Sequence, residues 1–173
     1  MSTIPLYDAT IGLSNHSLLT LLDLLKKVQD HPDSESLLTG RLAPDMLPFP
    51  TQIIIVSNFA KKIVERLAGR TLDVWEDNET TLEQLVARVQ KTLDLLKTVK
   101  REDLDGAADK TISLKIGPFD PVSTTTTQYV LGYMVPNMMF HLSVAYGILR
   151  MKGVELGKAD LLKHFAGDFF PAK

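Results

Sequence analysis

A chain of 173 residues with 19 Lys+Arg against 21 Asp+Glu carries a formal net charge of -2, and 45% of it is hydrophobic. That balance excludes an intrinsically disordered chain, and without a basic excess to neutralise phosphates it excludes a general nucleic-acid-binding role. The absence of cysteine excludes disulfides, thiol nucleophiles, Cys-zinc sites and iron–sulfur clusters.

No apolar run approaches the roughly 20 residues a membrane-crossing helix needs, so no membrane partner is expected. The Met1 end lacks a charged-then-apolar leader layout, which together with the missing cysteines points to a cytoplasmic protein. The length suits one domain over residues 1–173.

From Leu6 to Val28, Ile11, Leu18, Leu22 and Leu25 recur at helical spacing, predicting a long amphipathic helix with a break near Gly12. His31-Pro32 stops it, because the residue before a proline avoids helical dihedrals. Residues 34–48 read as a connector stiffened by Pro44 and Pro48, and Pro50 fits the first helical position. The second helix then runs to about Leu67, with Val56, Phe59, Ile63 and Leu67 inward and Gln52 in phase with them.

Trp75 is the one large anchor in the connection that follows. Thr80-Thr81-Leu82-Glu83 has capping-box spacing and opens a third helix carrying Leu82, Leu85, Val86, Val89, Leu93 and Leu96. Thr111 to Ile116 alternates polar and apolar, the period of a strand, and Val122 to Thr125 is a second short strand candidate. Pro136 divides the last long segment into a short helix up to about Met134 and a longer one with Val144, Ile148 and Met151 inward. Gly153 ends that helix, and one more helical turn falls between Val154 and Phe165. The expected fold is all-α: a four-helix bundle with a short hairpin or irregular crossover before the last helix.

His141 interrupts the apolar face of the last long helix, with Asn137 four residues earlier on the same face. Gln52 holds the matching place near the start of the second helix, and Tyr133 and Asp45 are close enough in sequence to reach its rim. Together they predict a polar pocket at one end of an apolar core. Set against this, core histidines and helix-end carboxamides commonly do no more than satisfy local hydrogen bonds. His16, His31 and His164 share no spacing with His141 and are expected at the surface. Asp103 and Asp105 read as a solvated acidic turn, and Met134, Met138, Met139 and Phe140 as adaptable core.

Arg41-Leu42-Ala43-Pro44-Asp45-Met46, Gln52, Pro136-Asn137-Met138-Met139-Phe140-His141, Ala145-Tyr146 with Ile148-Leu149-Arg150, and Gly153-Val154-Glu155-Leu156-Gly157-Lys158 recur in this order. In that combination the chain resembles an uncharacterised domain family of bacteria and fungi, itself similar to a branch of the DinB/YfiT-like superfamily. The resemblance implies a four-helix bundle of unusual connectivity and a homodimer. It also implies a divalent metal held by a His on the second helix and a His-x-x-x-His pair on the fourth. Here the pair reads Asn137-x-x-x-His141 and the second-helix position falls at Gln52, so the expectation is a retained pocket with no metal and no other cofactor.

The expected function is a small-molecule-binding protein with a small organic ligand oriented by Gln52, Asn137 and His141, with Tyr133 and Asp45 as further ligand-binding residues at the rim. Three alternatives stand beside it. One is a metal-free enzyme of isomerase or cyclase type, with His141 as general acid/base and Asn137 or Gln52 steadying negative charge. Another is a metal-dependent transferase or hydrolase, should a divalent metal be held. The third is a dimerisation domain, for which Phe165, Phe169 and Phe170 supply an apolar tail.

Overall fold

The computed structural model describes residues 4–115 and 118–167. Its long elements are α1 (Leu13–Gln29), α3 (Phe49–Arg66), α4 (Leu82–Lys97) and α5 (Val135–Met151); α2 (Ser34–Leu38) and α6 (Lys158–Ala166) are short. One antiparallel hairpin pairs β1 (Thr111–Leu114) with β2 (Val122–Thr125), in the register Thr111↔Thr125 and Leu114↔Val122. Ile116, Phe169 and Phe170 lie outside the described residues.

Side-chain contacts fix the helix directions. Gln52 meets His141, Phe59 meets Tyr133 and Arg66 meets Tyr129, so α3 and α5 run in opposite senses. Arg70, just past the end of α3, bonds the hydroxyl and carbonyl of Thr98 at the end of α4, while Asn58 bonds Arg88 earlier in both helices; α3 and α4 therefore run the same way. Tyr7 and Asp8, before α1, reach Val99 and Arg101, past α4, which sets α1 against α4.

A parallel α3–α4 pair obliges residues 67–81 to travel back along the full helix, roughly 27 Å for 18 residues. Arg88, 3% exposed, anchors that return. Its guanidinium donates to Glu76 O (2.9 Å), Glu79 Oε1 (2.6 Å), Asp77 Oδ1 (2.7 Å) and Asn58 Oδ1 (2.7 Å). Asn58 in turn donates to Asp77 Oδ2 at 2.8 Å, closing a ring that holds the crossover to both helices.

Several boundaries differ from the sequence expectation for identifiable reasons. The cap of α4 is Thr81 with Gln84, one residue later than expected: Gln84 N donates to Thr81 Oγ1, and Thr81 N donates to Gln84 Oε1. The tandem Thr80-Thr81 satisfies the capping-box pattern in both registers. Residues 34–38 form α2, capped by Asp33, which at five residues is too short to show a period. Pro136 does not divide the last helix. Wide π turns over Gln128–Met134 lead straight into α5, and Pro136 sits in its first turn, where the wide turns just upstream accommodate a residue with no N–H to donate. Another π turn, Asp8–Gly12, replaces the break expected near Gly12.

The inward faces mostly match. Val56, Phe59, Ile63 and Leu67 are buried, as are Leu85, Val89, Leu93 and Leu96. Val86 and Met151, both expected inward, are exposed, and so is Phe140. On α5 Val144 and Ile148 are buried as expected, together with Met138, Leu142, Ala145 and Leu149, and only Met151, at the end of the helix, turns out to solvent. Histidines also depart from a bare surface: His164 and Lys163 share the Asp23 carboxylate, and His16 packs edge-on to Phe165 at 5.8 Å.

The segment before α3 is fixed from two sides. Gly40 O accepts from Phe49 N (2.9 Å), and a Cβ at Gly40 would stand 2.8 Å from Ile148 Cγ2 and 3.1 Å from Leu37 O. Leu42 lies over Gly147, and Arg41 closes the loop through Met46 O.

Two outcomes are expected in chemical denaturation. Arg88→Met should lower stability by about 3–5 kcal/mol, because it preserves volume but leaves Glu79 without its cation. Gly40→Ala should cost about 1–3 kcal/mol through the clash with Ile148.

Candidate functional site

Gln52 stands in the first turn of α3, 1% exposed, and its carboxamide has a single allowed orientation. Leu47 O can only accept, so the group 2.8 Å from it is the Gln52 amide NH2. Gln52 Oε1 is left facing His141 Nδ1 at 2.7 Å. An amide oxygen cannot donate, so Nδ1 must carry the proton, and in the neutral ring Nε2 is the lone-pair nitrogen. One carboxamide thereby ties the 40–48 loop, α3 and α5 together and selects a tautomer.

His141 is half-buried, and burial pushes its pKa below the ordinary 6.5. Gln52 is uncharged, so no anion offsets the desolvation, and the ring is held neutral at pH 7. Phe140, 53% exposed, presents its ring edge-on to the imidazole at 5.1 Å. A neutral imidazole with a free Nε2 can accept a hydrogen bond or take a proton.

The other expected site residues do different things. Asn137 is on the predicted face, but its NH2 donates to Tyr133 O at 2.6 Å, within its own helix. Tyr133 packs edge-on to Phe59 (5.7 Å) and beside Tyr129 (6.4 Å). Asp45 is exposed in the 40–48 loop. Of the predicted five, only Gln52 and His141 are joined by a hydrogen bond between side chains.

Clefts of about 430, 390 and 290 Å³ are lined respectively by Arg41, Pro50 and Thr51; by Trp75, Arg88 and Lys91; and by Asp23, Lys27 and Lys163. Neither Gln52 nor His141 lines any of these three. Among the described residues, no three His, Asp or Glu side chains gather as a shared cation would require. At the His141 position the donors are one imidazole and two carboxamides.

Tyr129, Tyr133, Asn137 and His141 follow one another at intervals of four along the segment that faces α3. Gln52, Phe59 and Arg66 follow at intervals of seven along α3. Sequence reasoning took the first and last members of neither series as a pair. The heptad 52/59/66 was the available signal for Arg66, and the total burial of Tyr129 had none.

Residues 6–162 match the family model DUF1993, described as a domain of unknown function. The chain is also similar to the crystal structure of a DinB family member protein from Shewanella denitrificans. Identity is 34%, the TM-score is 0.82, and 91% of each chain is covered. No curated protein matches it. The resemblance to an uncharacterised DinB-like domain is thereby met.

The imidazole makes two measurable statements. In long-range 15N–1H spectra Nδ1 should be the protonated nitrogen of His141 at neutral pH, and its titration midpoint should fall below 6.5. A depressed pKa adds stability that is complete above pH 6.5 and lost as pH falls through the folded value. His16 is depressed by burial as well, so His141→Asn should remove only part of that acid-side slope in urea titrations.

Proposed function

The chain belongs to the DUF1993 family, and on that premise we propose that it is a single-domain, DinB-like four-helix bundle that binds a small organic molecule without a divalent metal. The observation that carries this is the Leu47–Gln52–His141 relay, which fixes Nε2 as an acceptor. A ligand suited to it offers an O–H or N–H donor on an apolar body that can rest against Phe140.

The donor chemistry weighs against a metal here. A divalent cation wants several imidazoles or carboxylates. Gln52 Oε1 is spent on Nδ1–H, and Asn137 turns its NH2 into its own helix. Catalysis is also the weaker reading. The amide NH2 groups of Gln52 and Asn137, which would steady an oxyanion, are each held by a backbone carbonyl, Leu47 O and Tyr133 O. Binding needs only the acceptor.

A homodimer fits the same side of the molecule. Phe140, Leu42 over Gly147, and Met151 form an exposed apolar row along α5. Such a row is a natural place for a second copy.

The test is ligand-observed NMR with a panel of small phenols and carboxylic acids, with wild type, His141→Ala and Gln52→Leu. Binding should weaken about tenfold in each variant, the worth of one hydrogen bond of about 1.4 kcal/mol. No product should accumulate. A turnover abolished in His141→Ala would make the protein an enzyme, and stoichiometric zinc, nickel or iron in untagged protein would overturn the metal-free reading.

A further inference from the structure

The outer side of α4 carries a groove that the His141 reading does not use. Leu82 and Val86 recur at helical spacing beside Leu85 and Val89, but the fold buries only the latter two. Leu82 stays partly buried against the core, while Val86 and Ala87 stand out in solvent. Gln29, at the end of α1, supplies the facing wall, and Glu83 and Gln90 complete the lining. The groove holds about 570 Å³, more than any of the three clefts described above and within the range of sites for small organic molecules.

We propose that this groove binds a small organic cation, with a primary ammonium on the Glu83 carboxylate, an apolar body over Val86 and Ala87, and a hydroxyl or N–H at its other end on Gln90 Oε1. The polar atoms set that order. Gln90 lies 3.0 Å from Asp94 Oδ1, a carboxylate oxygen that accepts, so its NH2 points there and its Oε1 is left as an acceptor. An ionised Glu83 is acceptor-only, and among the described residues it forms no ion pair. Two acceptors seven residues apart, roughly 10 Å along α4, call for donors at both ends of the ligand.

Charge selects the ammonium. Glu83 is the one charged side chain among the six that line the groove. Asp94, beyond Gln90, is answered by Lys97 at 2.7 Å, and Lys26 and Lys27 of α1 line the separate cleft toward α6. An anion would therefore meet Glu83 with no cation in the lining to offset it. An ammonium gains a charge-assisted hydrogen bond there and lays its apolar part on Leu82, Val86 and Ala87. The groove takes no residue from α3 or α5, so its ligand is independent of the one at His141.

The test is a 15N–1H NMR titration of the full chain with tyramine, whose ammonium and phenol flank an apolar body. Wild type should show saturable shifts at the backbone amides around Glu83, Val86 and Gln90. Phenethylamine, which lacks the hydroxyl, should bind about threefold to tenfold more weakly. Hydroxyphenylpropionate, with a carboxylate in place of the ammonium, should give no saturable shift at these amides. Glu83→Gln should weaken tyramine at least threefold, as should about 0.5 M sodium chloride. Val86→Lys, at an exposed position, sets a cation into the groove and should abolish binding. A phenol also suits His141, so the titration is repeated in His141→Ala, which should leave the α4 shifts unchanged; failure of that reading and failure of this one are thus seen separately. No saturable shift on α4 in wild type, equal binding by Glu83→Gln, or hydroxyphenylpropionate binding as tightly as tyramine overturns the proposal.

Discussion

A single primary carboxamide is the junction on which the arrangement depends. Gln52 has one donor end and one acceptor end; Leu47 O, which can only accept, fixes the first, and the second thereby makes His141 Nδ1 a donor. Its donor end holds the loop that precedes α3, and its acceptor end holds α5. Because Gln52 is buried at 1%, a wrong orientation would leave two unsatisfied polar atoms in the core. Backbone packing, helix pairing and imidazole protonation are thus coupled through one side chain. Replacing a carboxylate by this amide also keeps the histidine from being drawn toward its charged form.

Below that junction the seam becomes aromatic and then polar again. Phe59 and Tyr133 fill its middle, where ring edges meet ring faces, and Arg66 with Tyr129 closes the other end. The parallel course of α3 and α4 imposes a separate demand, answered by a buried guanidinium. Arg88 divides its Nη donors between the returning chain and Asn58 of α3, and the planar fork of an arginine suits that multiple recognition. Lysine would offer no such geometry.

Much of the fold could be read from the residues, because long amphipathic helices announce themselves by period. Val56, Phe59, Ile63 and Leu67 were placed correctly, and so was the hairpin, whose alternating Ile112 and Leu114 are buried. What failed to show was whatever depends on registry between elements. Thr80 and Thr81 offer two equivalent caps, and only the fold chooses. Pro136 reads as a break unless wide turns upstream are known to absorb it. Gln52 and His141 were singled out as odd residues on apolar faces, and they do meet. Asn137 satisfied the same criterion yet serves its own helix, since phase along one helix does not say where an amide will turn. Arg66 is a polar side chain at a heptad position near a helix end, a place where arginine ordinarily faces water.

The attachment of α6 has a consequence of a different kind. None of its residues is buried, and it is joined to α1 through the Asp23 carboxylate, the edge of Phe165 against His16, and Thr20 reaching Leu161 O. Ion pairs this open are screened by dissolved salt, and the apolar hold on the core comes from the partly buried Leu161 and Phe165. Lifting this last helix away is therefore a low-cost excursion of the native chain, and it would uncover a strip of α1 around Thr20 and Leu24. Amide protons along α6 would exchange with solvent long before those of α3, and a protease would find its first foothold there.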